Sequence, residues 1–125
     1  MRMMIVDDSN MIRTRITRLA QTGAVGPLEV VAQAATGVEA LTLALRHRPE
    51  LVTMDLTMPE MDGVECIQKL LALLPDTSIL VISALVDKAT AIAALRLGAR
   101  GFLNKPFSDE ELLLALVEMV RGEGA

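Results

Sequence analysis

Aromatic residues and cysteines are scarce in this sequence. Of 125 residues, none is Trp or Tyr, two are Phe and one is Cys. Sites that stack flat cofactors or nucleobases usually need more aromatic rings, so the sequence argues against such sites. The single Cys66 cannot form a disulfide within the chain and has no His or Cys neighbour at zinc-ligand spacing. A reducing compartment therefore fits best.

Long apolar runs and clusters of positive charge are also missing. No stretch approaches the ~20 apolar residues that a membrane span needs. The formal net charge is −4 and no basic run occurs, which argues against direct binding of nucleic acid or anionic membranes. The first residues are too short for a secretion signal. With 125 residues, of which 52% are hydrophobic, we predict one domain with its own core over residues 1–125. The features that are missing predict a cytoplasmic location.

Short apolar runs of strand type alternate with helical patterns along the whole chain. The strands are predicted at 3–6, 28–34, 51–54, 78–83 and 101–104. Capping boxes at 36–39 and 108–111 mark two helix starts, and the fourth helix is predicted from about Asp87 to Leu97. Five βα units predict an open, doubly wound α/β sandwich whose parallel strands are covered on both faces.

The other four predicted helices each have an apolar stripe. In the order first, second, third and fifth helix, the stripes are Met11, Ile12, Ile16 and Leu19; Val38, Leu41 and Leu45; Val64, Ile67, Leu70, Leu71 and Leu74; and Leu112, Leu113, Leu116, Val117 and Val120.

Polar side chains stand at the ends of four predicted strands. In open α/β sheets, ligands bind outside the carboxyl ends of the strands, where the strand order reverses. We therefore expect three carboxylates, a hydroxyl and an ammonium group to converge at one sheet edge. They are Asp7 and Asp8 after the first strand, Asp55 after the third, Ser83 at the end of the fourth and Lys105 after the fifth.

Three neighbouring carboxylates repel one another unless a cation neutralises them. Mg²⁺ suits this set because it prefers oxygen ligands, and the set contains no Cys or His that could provide the thiolate or imidazole ligands that zinc or copper prefers. A carboxylate beside such an ion can attack phosphorus and form an aspartyl phosphate. Lys105 and Ser83 are suited to stabilise the charge on the phosphoryl oxygens.

At this point the residues resemble a known family. The segments Val6–Ser9, Met54–Gly63, Ile82–Ala84, Leu97–Ala99 and Asn104–Phe107 are similar to those of two-component response-regulator receiver domains, most of all single-domain chemotaxis receivers of the CheY type. The resemblance covers essentially the whole chain. It implies a flavodoxin-like fold with the strand order 2-1-3-4-5, which is taken from the family.

The resemblance also implies a role for each site residue. Asp55 would be phosphorylated by a sensor histidine kinase. Mg²⁺, with Mn²⁺ as a substitute, would be bound by Asp8, by Asp7 often through water, by Asp55 and by the backbone carbonyl of Thr57. Lys105 and Ser83 would contact the phosphoryl group.

Signal output is implied by the same resemblance. Phe102 would act as the switch aromatic that follows the movement of Ser83, and the Lys105–Pro106 peptide bond would be cis. The surface of the fourth helix, fifth strand and fifth helix would bind a downstream target or an output domain, as a monomer or a phosphorylation-promoted dimer. Thr57 and Leu85 occupy the positions that tune the phosphate lifetime in this family.

Other interpretations are open at this point. Taken singly, Asp7 and Asp8 could cap the first helix, Ser83 and Lys105 could be ordinary surface or strand-end residues, and Phe102 could belong to the core. The chain could be part of a longer regulator with a DNA-binding or enzymatic output domain. A haloacid-dehalogenase-like phosphatase would need a second acid where Thr57 stands, and a flavin-binding module would need a phosphate loop without the two acids after the first strand.

Overall fold

Strands and helices alternate along the chain in a computed structural model that describes residues 1–58, 61–84 and 88–122. The strands are β1 (Arg2–Val6), β2 (Glu29–Ala34), β3 (Leu51–Met54), β4 (Ser78–Ser83) and β5 (Gly101–Asn104). The helices are α1 (Asn10–Ala20), α2 (Gly37–His47), α3 (Gly63–Leu73), α4 (Lys88–Leu97) and α5 (Asp109–Arg121). The predicted bounds of β3, β4 and β5 are confirmed, and β1 and β2 each differ by one residue at their start. The predicted start of α4 at Asp87 lies outside the described residues.

The five strands form one parallel sheet in the order β2-β1-β3-β4-β5. This arrangement confirms the doubly wound α/β fold and the strand order 2-1-3-4-5. The order reverses at β1, which has β2 on one side and β3 on the other. Val6 at the end of β1 pairs with Met54 at the end of β3, so the loops that follow these two strands leave the sheet side by side.

Two apolar layers cover the two faces of the sheet. One layer contains buried side chains of α2, α3 and α4, among them Ala44, Ile67 and Ala94. The other contains buried side chains of α1 and α5, among them Ile16 and Leu112. The sheet is thus enclosed on both faces, and the carboxyl ends of its strands are left as the place where polar groups gather.

The apolar stripe predicted for α2 is wrong in part. Val38 and Leu45 are 54% and 55% exposed, and Ala40 and Ala44 are fully buried instead, while Leu41 is partly buried. The small alanine side chains let the helix lie close to the sheet, and the longer residues on the adjoining face extend outwards.

Two further side chains differ from the expected helix faces. Met11 of α1 is 79% exposed, because it lies about 100° around the helix from Ile12, which packs against the core. Met119 of α5, absent from the predicted stripe, is buried.

Side chains that accept a backbone N–H cap the starts of α1, α2, α3 and α5. Ser108 and Glu111 form the complete reciprocal box that the sequence predicts. The second predicted box forms only in half, because Glu39 accepts from the N–H of Ala35 and not from that of Thr36. None of the helices within the described ranges is long and apolar enough to cross a bilayer.

The hydroxyl group of Thr53 is an unsatisfied polar group in the core. Thr53 lies on β3 with 1% exposure, and its Oγ1 has no hydrogen-bond partner within residues 1–58, 61–84 and 88–122. Valine has nearly the same shape without the hydroxyl. We expect Thr53→Val to raise the free energy of unfolding by about 1 kcal/mol, because it removes a buried unpaired group.

Urea unfolding followed by circular dichroism measures this change. Thr77→Val is the matched control, since the buried Thr77 hydroxyl donates to the Pro49 carbonyl at 2.8 Å and its loss should be destabilising. A Thr53→Val protein that is less stable than the wild type would contradict the prediction.

Candidate functional site

The predicted site residues meet at the carboxyl edge of the sheet. Sheet-like hydrogen bonds continue one residue past three strands and fix the backbone there, so the side chains project from well-defined positions. These bonds run from the N–H of Asp7 to the Ala34 carbonyl, from that of Asp55 to the Val6 carbonyl and from that of Lys105 to the Ser83 carbonyl, each at 3.0 Å.

Asp55 is buried, with 2% exposure, and its two oxygens have different surroundings. Oδ1 accepts from the Thr57 N–H at 3.1 Å, the Thr57 hydroxyl at 3.2 Å and the Ser83 hydroxyl at 3.3 Å. Oδ2 faces the Lys105 ammonium group at 3.6 Å. One oxygen is therefore held by three donors, and the other has a longer contact to a cation.

Lys105 makes its shorter contact with the second buried carboxylate. Its Nζ lies 2.6 Å from Oδ2 of Asp7, whose side chain is 2% exposed, and Oδ1 of Asp7 accepts from the Ser9 N–H at 2.8 Å. Burial nevertheless raises the pKa of the Asp7 carboxyl above its ordinary value, since the bonds from Lys105 and Ser9 offset the loss of solvation only in part.

The three predicted acids form a single cluster. One carboxylate oxygen from each of Asp7, Asp8 and Asp55 lies within 4.8 Å of the others. Asp7 and Asp55 are buried and Asp8 is exposed, so the cluster opens to solvent on the Asp8 side. An all-oxygen donor set of this kind suits a hard divalent cation such as Mg²⁺.

The other residues predicted for the site differ in what the structure says of them. Phe102 pairs with Val81 in the sheet and is partly buried against the layer formed by α2, α3 and α4. The Lys105–Pro106 peptide bond is cis. Leu85 lies outside the described residues. The proposed roles of Phe102 as a switch and of the Thr57 carbonyl as a metal ligand stay predictions.

The structure adds two arginines of α1 that the sequence patterns did not single out. Arg13 donates from Nη1 to the Asp7 carbonyl at 2.6 Å and from Nη2 to Asn10 Oδ1 at 3.2 Å. Arg15 contacts the connection between β5 and α5. Arg13 lies near the start of α1, where a cation opposes the helix dipole, and this mismatch is a sign in the sequence that other groups hold its side chain. Arg15 lies in the middle of α1 and carries no such sign.

Gly63 also supports the site. It begins α3, and a Cβ atom added there would lie 2.4 Å from the Asp55 carbonyl oxygen and 2.5 Å from Leu56 Cα. The Gly63 N–H donates to the Leu56 carbonyl at 3.0 Å. The missing side chain lets the start of α3 press directly against the backbone that carries Asp55.

Comparisons with known proteins agree with this geometry. A family model described as the response regulator receiver domain matches residues 3–117. Chemotaxis protein CheY of Listeria monocytogenes is 35% identical over 116 residues, which are 93% of this chain and 95% of that protein. The uncharacterized transcriptional regulatory protein YhcZ of Bacillus subtilis is 40% identical over 113 residues; these are 90% of this chain but 52% of that relative, so the chain spans about half of its length.

A solved structure shows the same likeness. The CheX–CheY–BeF3–Mg complex from Borrelia burgdorferi contains a chain that matches with a TM-score of 0.88 and 27% identity, covering 95% of this chain and 88% of that one.

The contact at Gly63 generates a testable prediction. We expect Gly63→Ala to lower the free energy of unfolding by about 1–3 kcal/mol, because the added methyl group meets backbone atoms that cannot move aside without displacing Asp55. Gly37→Ala is a matched control, since Gly37 also begins a helix but faces the flexible Met61 side chain. Equal unfolding midpoints in urea for the two variants would contradict this prediction.

The raised pKa of Asp7 generates a second testable prediction, on the pH dependence of stability. The folded metal-free protein binds the Asp7 proton more tightly than the unfolded chain, so this group's contribution to stability falls as the pH rises from 3.8 through the raised pKa. Asparagine cannot ionise. We therefore expect the stability of Asp7→Asn, measured relative to the wild type, to increase across that pH window.

Urea unfolding in EDTA, at several pH values from below 3.8 to neutrality, measures the trend. Asp76→Asn controls for the loss of an exposed carboxylate at the other end of the sheet. A difference between wild type and Asp7→Asn that is constant with pH would refute the prediction.

Proposed function

This chain belongs to the response regulator receiver domain family of two-component systems, and on that premise we propose that Asp55 is the residue that accepts the phosphoryl group. A receiver domain is a signalling domain. The observation that carries the proposal is the asymmetric environment of the Asp55 carboxylate. Oδ1 accepts hydrogen bonds from three donors, whereas Oδ2 faces the Lys105 ammonium group at 3.6 Å.

We assign the metal site to Asp7, Asp8 and Asp55, with the Thr57 carbonyl as a further oxygen ligand. The all-oxygen cluster supports this assignment, because three neighbouring carboxylates repel one another unless a cation lies close by. Burial raises the pKa of Asp7, and a cation beside it would stabilise its charged form. Mg²⁺, or Mn²⁺ in its place, would neutralise the negative charge that develops on the transferred phosphoryl oxygens. The Borrelia burgdorferi CheY complex, which holds Mg²⁺ with BeF3, supports the same ion here.

In the proposed reaction, a carboxylate oxygen of Asp55 attacks the phosphorus atom. The bond from phosphorus to the donor atom breaks, and its electron pair leaves with the donor, which is a phosphohistidine of a sensor kinase or a small acyl phosphate. The Lys105 ammonium group, 3.6 Å from Asp55 Oδ2, moves from Asp7 to a phosphoryl oxygen. The product is an aspartyl phosphate.

We propose that Ser83 and Phe102 transmit the change. The Ser83 hydroxyl, 3.3 Å from Asp55 Oδ1, is close enough to turn toward a phosphoryl oxygen. Phe102 on the neighbouring strand is only partly buried, so its ring has room to follow. The surface of α4, β5 and α5 would then favour its partner-binding form.

The proposed partners are a sensor histidine kinase and a downstream protein in the cytoplasm. The similarity to a chemotaxis CheY supports a separate downstream protein as the target, which this chain would bind as a monomer or as a phosphorylation-promoted dimer. An output domain in the same chain is the alternative that the half-covered transcriptional regulator suggests. A reading frame that continues past Ala125, which lies outside the described residues, would favour that alternative.

Mass spectrometry of the intact protein tests the central proposal. With Mg²⁺ and a small acyl-phosphate donor, we expect the mass of one labile phosphoryl group to be gained. Asp55→Asn and omission of the metal should each abolish the gain, because the first removes the nucleophile and the second leaves the charge unneutralised.

Asp76 is exposed and lies at the edge of the sheet where the strands begin, away from the site. Asp76→Asn should therefore be modified like the wild type. An unmodified wild type, under conditions in which another receiver is modified, would overturn the proposal. So would an Asp55→Asn protein that gains the phosphoryl group at the wild-type rate.

A further inference from the structure

Arg15 joins α1 to the connection between β5 and α5 through several contacts. Its Nη2 donates to the Phe107 carbonyl at 2.8 Å and to Asp109 Oδ1 at 2.7 Å, and its Nε donates to the same Asp109 oxygen at 3.0 Å. The centre of its guanidinium group lies 4.5 Å from the centroid of the Phe107 ring. Charge-assisted hydrogen bonds and a cation–π contact therefore act on one side chain.

The partners of Arg15 follow Lys105 closely in the chain. Phe107 is two residues further along the chain and is 5% exposed in the layer that α1 and α5 form. The backbone N–H of Lys105 donates to the Ser83 carbonyl at 3.0 Å. Lys105, before the cis peptide bond, is thus bound to β4. Phe107, after that bond, is held to α1 through Arg15.

The backbone of Lys105 lies between these two anchors, and its ammonium group extends from there to Asp7. Its long side chain is flexible, and its shortest contact is the 2.6 Å ion pair with Asp7. If Lys105 turns to a phosphoryl group and Asp7 turns to a metal ion, this ion pair is lost. The contacts of Arg15 include none of the three carboxylates of the site, so they can persist through that change.

We propose that Arg15 is a positioning residue for phosphoryl transfer, which holds the 105–108 connection and the first residue of α5 against α1 and so keeps the Lys105 ammonium group within reach of Asp55. The inference rests on the proposed function, because it concerns the rate of that same reaction. It assigns to α1 a part in catalysis that does not involve contact with the phosphoryl group.

A purely structural role of Arg15 makes a different prediction. If the residue only strengthens the packing of α1 on α5, its loss should have the same effect whether or not Lys105 is present. If it acts through Lys105, its effect on the rate should disappear once the ammonium group is removed. A double-mutant cycle separates the two roles.

The cycle compares wild type, Arg15→Met, Lys105→Met and the double variant in phosphorylation by a small acyl phosphate at saturating Mg²⁺. We expect Arg15→Met to lower the maximal rate about threefold to tenfold, because a small displacement of a charge-stabilising group is costly. In the Lys105→Met background, Arg15→Met should cause no further loss. Arg18→Met removes the same charge from an exposed position of α1 and should react like the wild type.

An equal loss of rate in both backgrounds, or no loss in either, would overturn the inference. A second readout does not depend on phosphorylation: the ¹³C NMR signal of the Lys105 side chain in the metal-free protein. Arg15→Met should shift this signal and Arg18→Met should not, and an unchanged signal counts against the positioning role. If the wild type accepts no phosphoryl group at all, the proposed function fails, and the NMR result still decides whether Arg15 positions Lys105.

Discussion

Two carboxylates, Asp7 and Asp55, are buried side by side at the edge of the sheet, and the ammonium group of Lys105 contacts both of them. Burial of like charges is unfavourable unless positive charge and hydrogen-bond donors lie close by. Each of these groups follows a different strand, so the arrangement exists only if β1, β3 and β5 end at the same level. The continued sheet-like hydrogen bonds after these strands meet that requirement. Burial raises the pKa of Asp7 even so, since the bonds from Lys105 and Ser9 offset the loss of solvation only in part.

The local patterns of the sequence were sufficient for the fold class and for the sheet edge at which the polar residues gather, because both depend on short-range features. The runs that form β3, β4 and β5 are apolar and end at polar or turn residues, and their bounds were predicted correctly. Once parallel strands are inferred, the rule that ligands bind at their carboxyl ends brings Asp7, Asp55 and Lys105 together. The strand order itself came from the family resemblance and could not be obtained from the apolar pattern.

The errors and omissions have a common physical origin. The periodicity of α2 shows which residues share a face, but it does not show which face packs against the sheet. In the structure, the face with Ala44 is buried there and Leu45 is exposed. The role of Gly63 is likewise a matter of distance, since it depends on where the backbone of Asp55 lies in space. The partners of Arg15 are more than ninety residues away in sequence. Such facts depend on tertiary geometry that no local pattern contains.

The site is attached to its surroundings by two kinds of contact, and they differ in how they respond to the proposed reaction. The ion pair of Lys105 with Asp7 consists of groups that the metal ion and the phosphoryl group would compete for. The contacts of Arg15 with Phe107 and Asp109 consist of groups that lie outside that competition. A change of charge at Asp55 can therefore redirect the ammonium group while the backbone behind it stays in place. In the proposed reaction, the connection that carries Lys105 would therefore not have to be reordered when the charge at Asp55 changes.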